Sequence, residues 1–441
     1  MASIPGTTPI TERHLEELFE LLRIESVSSD GRHPAELRAA ADWVAALIGG
    51  AEVSEAYGNP LVDGLIPASA DGAPTVIVYG HYDVQAPGPL DLWESPPFQP
   101  AVRDGWLYAR GTSDDKGNFY ALLRAGLDLA QEGRLPVNVR VLADGEEEIG
   151  GHSVIDHLPQ VKGDFAAAII FDGHMVDATT PAITTGLRGV VGFQVCLRAG
   201  SRELHSGLYG GAAANAVHDL QRVLAAVIDH EDDFADGVAP VLDAERADWS
   251  ALQPGAAALA EAGAAPRDHR AGAEFYERTW ARPSLTVHSI GAGDPLLHKT
   301  SIVTEARASL SLRLAPGQDA DAIGALLEER LRRACPVHAE LELEGWPSSS
   351  PAHVDTSHPM LQEAFAAMER ATGVRPLAVR SGGSIPIGAA LVERGIPTIL
   401  SGFGAAEDSI HSPNEGMELR RLDWAYASAR ELYSGLASVG G

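Results

Sequence analysis

The sequence predicts an α/β protein in which a mixed β-sheet with helices on both faces is interrupted by an inserted α+β domain. Short, almost continuously apolar runs alternate with helical patterns near both ends of the chain, which is typical of a sheet covered on both faces. Between them, strand patterns alternate apolar and polar residues, which indicates a sheet with one exposed face. The chain of 441 residues also exceeds the usual size of one core. We predict a first domain from 1–188 and 351–441, and a second domain from 189–350.

Periodicity and end signals assign the elements of the first domain. A helix begins after the capping residue Thr11, "ELRAAADWVAALI" predicts a second helix, and "FYALLRAGLDLAQEG" predicts a third that ends at Gly133. Two late helices are predicted at 359–371 and 419–437. The predicted strands are 75–80, 137–143, 165–171, 376–380 and 397–401.

Amphipathic patterns predict the second domain. Strands are predicted for "GVVGFQVCLRA", "EARASLSLRLAP" and 339–345, and helices for "AAANAVHDLQRVLAAVI" and "DADAIGALLEERLRRA". Residues 230–283 are rich in Asp, Ala and Pro and contain an Ala-rich helix at 255–265. We predict that they are an insertion in this domain rather than a linker.

Composition excludes several classes of partner. The net charge of −28, from 33 Lys and Arg against 61 Asp and Glu, argues against nucleic acid or anionic membrane. No apolar run approaches the roughly 20 residues that span a bilayer, and the first residues lack the basic and apolar regions of a signal peptide. Cys196 and Cys335 are isolated in the sequence, which predicts free thiols. We therefore expect a cytoplasmic protein.

Acidic residues and histidines cluster at the predicted carboxyl ends of strands, the edge at which open α/β sheets place their sites. Any one cluster has an ordinary explanation, such as a solvated loop or a charge that complements a helix dipole. Carboxylates that converge on one cleft, however, repel one another and bind protons unless a cation lies among them. The clusters are His81 with Asp83; Asp114 with Asp115; Glu146, Glu147 and Glu148; Asp172 with His174; and Glu407, Asp408 and His411.

This set of donors indicates the kind of cation and its chemistry. A mixture of histidine and carboxylate suits zinc, manganese or cobalt better than calcium or magnesium. The candidates outnumber the three protein ligands that a single catalytic zinc takes, which favours two ions that share a carboxylate and a water. A glutamate beside a ligating glutamate would be the base for that water. The sequence therefore predicts metal-assisted hydrolysis.

Other catalytic motifs fail at single residues. "GDPLLHKT" (293–300) has His298 where a phosphate-binding loop needs its second glycine. "GGSIP" (382–386) has Pro386 in place of the last glycine of a nucleophile elbow. H-E-x-x-H is absent from the sequence, and "DDKGN" lacks the alternate-position ligands of a calcium loop. The metal cluster is therefore the main catalytic candidate.

Taken together and in order, these motifs resemble the M20 family of metallopeptidases, which contains aminoacylases, desuccinylases, carboxypeptidases and dipeptidases. The resemblance covers nearly the whole chain. It implies two divalent metal ions per subunit, with zinc first and manganese or cobalt as alternatives, and an inserted ferredoxin-like domain that acts as a lid and dimerises. The matching motifs are "YGHYDVQ", "LWESPPFQP", "LYARGTSDDKG", "EEEIGG", "TTGLRG", "ELHSGLYGG", "SLRLAPGQ", "SGGSIP" and "IHSPNE".

The resemblance also implies roles for residues of the first domain. Asp114 would bridge the two metals, and Asp83 would be the carboxylate that fixes the imidazole of His81. Glu147 would be the general base, which takes a proton from the bridging water and hands it to the leaving amine. Asp115 is expected to point away, toward Lys116 or solvent. The other metal ligands would be His81, Glu148, Asp172 and His411.

In the inserted domain the resemblance implies residues that contact the substrate. His205 of "LHSGLYGG" matches a histidine that reaches into the partner subunit's site and stabilises the oxyanion. Arg313 of "SLRLAPGQ" matches an arginine that binds the terminal carboxylate of the substrate. Gly383 and Ser384 match a loop that lines the same pocket, and Thr300 is assigned from its spacing to Arg313. A homodimer through 189–350 is therefore expected.

The sequences of these motifs are most similar to those of the dipeptidase branch. This similarity implies a dinuclear hydrolase that cleaves dipeptides or short peptides with a free C-terminal carboxylate. The alternative is an N-acyl-amino-acid amidohydrolase of the deacetylase or desuccinylase type. A silent relative that serves as a dimeric binding module is disfavoured, because the ligands and the base are all present. An acidic calcium-binding scaffold would need no transition metal and would hydrolyse nothing.

Overall fold

The chain folds into two compact units in a computed structural model that describes residues 9–294, 296–383 and 385–439. The chain passes to the second unit after Thr185 and returns to the first after His353, within a few residues of the predicted boundaries after 188 and 350. A short later segment also belongs to the second unit, although it falls in the range 351–441 predicted for the first. The first unit comprises the chain up to Thr185, Val354–Val379 and the chain from Ala390 onward, and the second comprises Gly186–His353 and Arg380–Ala389.

The elements predicted from periodicity are present, together with strands that the patterns did not indicate, of which Ser284–Gly291 is the longest. The α-helices of the described chain are α1 Glu12–Leu22, α2 Pro34–Ile48, α3 Lys116–Gln131, α4 Ser153–His157, α5 Ser206–Tyr209, α6 Ala216–Ala225, α7 Asp243–Trp249, α8 Gly255–Glu261, α9 Phe275–Trp280, α10 Ala320–Ala334, α11 Pro359–Thr372, α12 Pro386–Glu393 and α13 Leu419–Val439. The β-strands are β1 Glu52–Ser54, β2 Leu61–Ile66, β3 Thr75–His81, β4 Ala101–Arg103, β5 Trp106–Tyr108, β6 Asn138–Asp144, β7 Phe165–Ile170, β8 Ala182–Leu187, β9 Gly189–Arg198, β10 Leu204–His205, β11 Ser284–Gly291, β12 Ser301–Ile302, β13 Glu305–Leu314, β14 Glu340–Gly345, β15 Ala352–His353, β16 Leu377–Ser381, β17 Thr398–Leu400 and β18 Gly416–Glu418.

A mixed sheet forms the centre of the first unit. Its strand order is β1-β2-β6-β3-β7-β17-β8, and β6, β3, β7 and β17 run parallel to one another. The strands β1, β2 and β8 join antiparallel to their neighbours. In the register of β3 with β6, Thr75 lies opposite Asn138 and His81 opposite Asp144. The carboxyl ends of the parallel strands therefore meet at one edge of the sheet.

Burial on both faces explains the continuous apolar runs of the parallel strands. Val76–Tyr79 in β3 and Ala167–Ile170 in β7 are almost completely buried. Helix α13 packs against both α11 and α3, and together these helices cover the sheet with buried leucine, alanine and aromatic side chains. A parallel sheet between helix layers leaves only its strand ends and loops for polar chemistry.

Capping residues mark several helix ends, and the predicted cap Thr11 is among them. Thr11 caps α1, because its hydroxyl oxygen accepts a hydrogen bond from the N–H of His14. Gly49 and Gly373 follow α2 and α11 with φ angles of 81° and 74°, the left-handed conformation that glycine adopts without strain. Among the described helices, none combines the length and the apolar character that crossing a membrane requires.

Helix α3 begins earlier than its apolar pattern predicted, because its first residue is a buried lysine. The Nζ of Lys116 donates to the carbonyl oxygens of Leu21 and Ile24 at 3.1 and 2.7 Å. These carbonyl groups lie at or just beyond the C-terminal end of α1, and each also accepts from a main-chain N–H, that of Leu21 from Ile24 and that of Ile24 from Ser26. Burial lowers the pKa of Lys116 to about 7. The side chain of Lys116 therefore binds main-chain oxygens at the end of α1. Asp115 is 1% exposed and accepts from the N–H of His81, so the expectation that it turns toward Lys116 or toward solvent is wrong.

The second unit is an α+β fold on a four-stranded antiparallel sheet in the order β11-β13-β9-β14. Helix α6 packs against β13 and β9, and α10 packs against β9, so that both helices cover the sheet around a separate core. The edge strands β11 and β14 are largely exposed; the alternating sequence predicted β14, whereas β11 was not predicted. The residues predicted as an insertion, 230–283, form α7, α8 and α9 within this unit.

A buried ion pair attaches Arg380–Ala389 to the second unit. The guanidinium of Arg380 donates two hydrogen bonds of 2.8 Å to the carboxylate of Glu245 in α7. Both side chains are almost fully buried, at 0% and 3% exposed. Breaking such a pair leaves a buried charge without a partner. This explains why a segment far along the chain belongs with the inserted domain, which local sequence patterns could not indicate.

The first turn of α3 generates a prediction about stability. A Cβ at Gly117 would overlap the main-chain carbonyl oxygen of Thr112, whereas a Cβ at Gly126 of the same helix would lie 3.4 Å from Ile66 and 3.5 Å from Tyr433. We expect Gly117→Ala to cost about 1–3 kcal/mol through overpacking. Gly126→Ala should leave stability unchanged or raise it slightly, because alanine favours helix. Chemical denaturation of both variants is the measurement, and equal stabilities would contradict the close approach at Gly117.

Candidate active site

The structure brings the ligand candidates of the first unit together at the carboxyl edge of the parallel strands. Each strand of the central group contributes at its end or in the loop that follows, which is where open α/β sheets form sites. Asp114 is the exception, since it lies in the turn before α3 and its peptide bond to Asp115 is cis. The strand-end residues are His81 in β3, Glu147 and Glu148 after β6, Asp172 after β7 and His411 after β17.

Two groups of three side chains share Asp114. In the first group, Asp114 Oδ1 lies 3.0 Å from His81 Nε2, and Asp172 Oδ1 lies 3.8 Å from the same nitrogen. In the second group, Asp114 Oδ2 lies 3.0 Å from His411 Nε2, and Glu148 Oε2 lies 3.1 Å from that nitrogen. The two oxygens of one carboxylate therefore face two different imidazoles.

The charges in this cluster depend strongly on one another. Burial favours the neutral form of Asp114, but His411 and His81 outweigh it and hold the pKa of Asp114 well below its usual range. Hydrogen bonds with Asp114 and Glu148 raise the pKa of His411 to about 10. Burial raises the pKa of Asp172. The cluster therefore gathers negative charge that a divalent cation would balance.

The donor atoms fit divalent cations of the zinc type. Each group offers one imidazole nitrogen and two carboxylate oxygens, and the donor atoms of a group lie within 4.8 Å of one another. Nitrogen and oxygen ligands in this number suit zinc, manganese or cobalt and leave a position open for water or substrate. Among the described residues, these are the two groups that have the donors and the spacing for a metal ion.

Asp83 supports both His81 and the glutamate turn. His81 Nδ1 lies 3.0 Å from the main-chain oxygen of Asp83 and 3.5 Å from its Oδ1. The carboxylate of Asp83 accepts hydrogen bonds of 3.2 Å from the N–H groups of both Glu147 and Glu148. An acceptor at Nδ1 turns Nε2 of the ring toward the other ligands. The fully buried Asp83 therefore fixes two parts of the site, whereas the sequence had assigned it only the imidazole.

Glu147 has the environment of a group that exchanges protons. It begins the turn after β6, and its side chain is half-buried beside the other acids. Burial, followed by the negative charge of Asp172, raises the pKa of Glu147 to about 8. A carboxylate with a pKa near neutrality can both accept and return a proton under ordinary conditions.

Asp115 and Gln85 contact the ligands in ways that the sequence analysis missed. Asp115 is 1% exposed, and its Oδ2 accepts a hydrogen bond of 3.3 Å from the main-chain N–H of His81. Gln85 donates from its main-chain N–H to Glu148 Oε1 at 3.2 Å and from its side-chain amide to Oε2 at 3.0 Å. Gln85 is the last residue of "YGHYDVQ", so its place in that motif was the available signal.

In the second unit, His205 and Thr300 lie side by side. His205 in β10 pairs with Ser301 in β12, and the N–H of Ser206 donates to the carbonyl oxygen of Thr300 at 2.9 Å. The exposed imidazole of His205 accepts a hydrogen bond of 3.0 Å at Nδ1 from the N–H of Gly207. Since Nδ1 is the acceptor, the proton of the neutral ring is on Nε2. His205 therefore presents an N–H donor away from its own loop.

Arg313 lies beside a second, buried arginine. In β13, Arg313 pairs with Ser284 of β11, and its half-buried guanidinium has no hydrogen bond or ion pair with any described residue. Arg188, in "TTGLRG", donates to the carbonyl oxygen of Thr279 at 2.9 Å and to the hydroxyl of Ser284. Burial, and after it the positive charge of Arg313, lowers the pKa of Arg188 to about 10. Two cations thus lie at one end of this sheet, and the sequence analysis had assigned only one of them.

The predicted loop residues of the second unit are described only in part. The N–H of Gly383 donates to the hydroxyl of Ser381 at 3.0 Å, and Gly383 is exposed. Ser384, assigned to the same pocket, lies outside the described residues. A Cβ at the neighbouring Gly382 would lie 3.4 Å from the carbonyl oxygen of Thr279, which also binds Arg188. The loop therefore passes close to the segment that holds the buried arginine.

Known proteins share both the sequence and the fold of this chain. The model of the peptidase family M20/M25/M40 matches residues 77–437. The cysteinylglycine-S-conjugate dipeptidase of Corynebacterium striatum is 30% identical over 445 residues, with 94% of each chain covered. The Cys-Gly metallodipeptidase of Saccharomyces cerevisiae is 27% identical over 371 residues, which cover 78% of this chain and 76% of that protein.

A solved structure supports the fold independently. The M20 family metallo-carboxypeptidase of Sulfolobus solfataricus superposes with a TM-score of 0.81 at 24% identity, covering 97% of this chain and 100% of that one. The predicted mixed sheet with an inserted α+β domain is confirmed by this likeness. The chain therefore belongs to the peptidase family M20/M25/M40, as an M20-type metallopeptidase of the dipeptidase branch that hydrolyses peptide bonds.

Proposed function

We propose that this enzyme is a dinuclear dipeptidase that cleaves dipeptides or short peptides with a free C-terminal carboxylate. The observation that carries the proposal is the sharing of Asp114 between the His81–Asp172 group and the His411–Glu148 group. One carboxylate that serves two groups of donors is the arrangement that holds two ions close together. The relatives that are named for Cys-Gly dipeptides support the choice of substrate class.

In the proposed reaction, two divalent ions, zinc by preference with manganese or cobalt as alternatives, would polarise the scissile carbonyl and make water acidic enough to lose a proton near neutrality. The proposed ligands are His81, Asp114, Glu148, Asp172 and His411. Glu147 accepts that proton as general base and later donates it to the leaving amine. Its raised pKa, near 8, supports both transfers. Asp83 and Gln85 hold the base and its neighbour Glu148 in place through hydrogen bonds.

We further propose that Arg313 binds the terminal carboxylate of the substrate, with Thr300, Gly383 and Ser384 lining that part of the site. A guanidinium that has no partner among the described residues keeps its donors free for a planar anion. Arg188 adds positive potential nearby. In a chain with 61 acidic residues, two adjacent arginines without an acidic partner in the described structure favour a negatively charged ligand.

His205 is proposed to stabilise the oxyanion in the site of a second subunit. Its neutral tautomer carries the donor on Nε2, which is the group that an oxyanion requires. The proposed homodimer forms through the second unit, in which Leu208 and Tyr209 next to His205 are 77% and 45% exposed. Exposed apolar side chains of this size favour a protein interface. We also propose a cytoplasmic location, since Cys196 and Cys335 are both free thiols.

The decisive experiment is a hydrolysis panel on protein stripped of metal and restored with zinc, manganese or cobalt. We expect free dipeptides, Cys-Gly among them, to be cleaved faster than their N-acetyl and N-succinyl analogues and their C-terminal amides. Preference for the acylated compounds would instead establish the N-acyl-amino-acid amidohydrolase. Activity that is independent of added metal, or absent with every metal, would contradict the proposed mechanism.

Replacement of the proposed base should separate catalysis from metal binding. In Glu147→Gln we expect kcat to fall by about 10²–10⁴-fold, the usual contribution of a general base. Metal content measured after dialysis should match that of wild type, because Glu147 is not among the proposed ligands. Glu407→Gln, which changes an exposed glutamate in the loop before His411, is the control and should keep full activity. Retained activity in Glu147→Gln would remove Glu147 as the base.

The proposed contact between Arg313 and the terminal carboxylate of the substrate predicts a change in substrate preference. Arg313→Ala should lose kcat/KM for free dipeptides by about 10–100-fold, since a charge-assisted hydrogen bond contributes roughly 1.5–3 kcal/mol. Hydrolysis of dipeptide amides should change little. The matched control is Arg307→Ala on the same strand, an exposed arginine that pairs with Glu305. A variant of Arg313 that kept the wild-type ratio of free to amidated substrates would contradict the assignment.

A further inference from the structure

The buried carboxylate of Glu415 collects donors from the turn that carries Asp114. Its Oε1 accepts from the main-chain N–H groups of Ser113 and Asp114 at 3.0 and 3.2 Å, and its Oε2 accepts from Gly111 at 3.1 Å. Glu415 is 0% exposed, and Ser113 lies 302 residues away in the sequence. One side chain thus fixes three main-chain donors of a turn that is distant from it in sequence.

Arg110 makes this buried carboxylate stable and extends its contacts. The Nη1 of Arg110 donates to Glu415 Oε2, and both side chains are at most 1% exposed. Its Nη2 reaches the carbonyl oxygens of Ser412 at 3.3 Å and Ala86 at 3.4 Å. The pair therefore joins three segments: the loop after β3, the turn before α3 and the loop that contains His411. A buried charge needs such a partner and saturated hydrogen bonds.

The loop from Ser409 to Asn414 needs support of this kind. Three of its residues that are not glycine have positive φ angles: Ser409 at 56°, His411 at 60° and Asn414 at 63°. Each costs free energy in the left-handed region and persists only where the surroundings over-determine it. The side chain of Asn414 accepts from the N–H of Glu94 and donates to the carbonyl oxygen of Leu92, both at 2.8 Å. Glu415 and Arg110 anchor the other side of the same loop.

The two ligand groups depend on this anchor to different degrees. His81 ends β3 and Asp172 follows β7, so both are positioned by the central parallel strands. His411 lies in the strained loop and is 52% exposed at its side chain, while Asp114 takes its main-chain position from Glu415. Removal of the anchor should therefore disturb the His411 side of the cluster more than the His81 side.

We propose that Glu415, paired with Arg110, is a positioning residue that sets Asp114 and His411 for the cation of the His411 group. The proposal rests on the proposed dinuclear site, and it adds a residue to which neither the motif "IHSPNE" nor the geometry of the ligands had assigned a role. A carboxylate is required there because four donors, three N–H groups and a guanidinium, converge on its two oxygens.

The test is a calorimetric titration of Zn²⁺ into the metal-stripped, full-length protein, with a competing chelator where binding is tight. In Glu415→Gln the amide loses one acceptor oxygen and leaves donors unsatisfied. We expect one of the two binding steps to weaken by about 10–100-fold, the usual effect of removing a residue that orients a ligand. The other step should weaken less, because it shares Asp114 but its remaining ligands lie on the central strands, and Arg110→Lys should give the same pattern.

A control separates positioning from general loss of stability. Glu245→Gln breaks a comparably buried pair with Arg380 in the second unit and should lower the melting temperature without changing either zinc step. The proposal is overturned if both steps of folded Glu415→Gln match wild type, or if both weaken equally. Should that variant fail to fold, Arg110→Lys decides by the same criteria. If wild type itself shows fewer than two steps, the dinuclear function fails rather than this residue alone.

Discussion

The site depends on one constraint, that the carboxylate of Asp114 lies between two imidazoles. With one oxygen 3.0 Å from His81 and the other 3.0 Å from His411, this side chain cannot move without disturbing both groups of donors. A free carboxylate at the start of a helix would turn to solvent or to the helix N–H groups. The surrounding hydrogen bonds therefore act on the main chain of the turn and leave its carboxylate to the imidazoles.

The scaffold meets this constraint with buried acids that accept main-chain hydrogen bonds. Asp83 accepts hydrogen bonds from the N–H groups of the glutamate turn. Asp115 accepts one from the N–H of His81, and Glu415 accepts one from the N–H of Asp114. Each carboxylate is buried, so its contacts lie in a medium of low dielectric, where they hold position firmly. The acidic residues near the site thus divide into those that face the cation groups and those that fix the loops.

The second unit shows the opposite charge pattern near the residues that are proposed to contact the substrate. Arg188 is buried with its hydrogen bonds directed to neutral oxygens, and Arg313 beside it has no partner among the described residues. Desolvation of a guanidinium is tolerated when an anion is available to it. His205 is exposed, and its tautomer is set by the N–H of Gly207. In the proposed mechanism, Arg313 and His205 serve the substrate rather than the stability of the unit.

The sequence by itself determined the alternation of strands and helices, the inserted α+β unit and the order of the ligand residues, because apolar periodicity and motif spacing are local properties. It could not indicate that Asp115 would be buried against His81, that Lys116 would close the end of α1, or that Arg380–Ala389 would return to the second unit. Nor did it reveal the buried contacts of Gln85, Arg188 or Glu415. Each of these depends on a contact between segments that are distant in sequence. Burial requires every polar group there to pair, and only the tertiary structure shows which groups pair with each other.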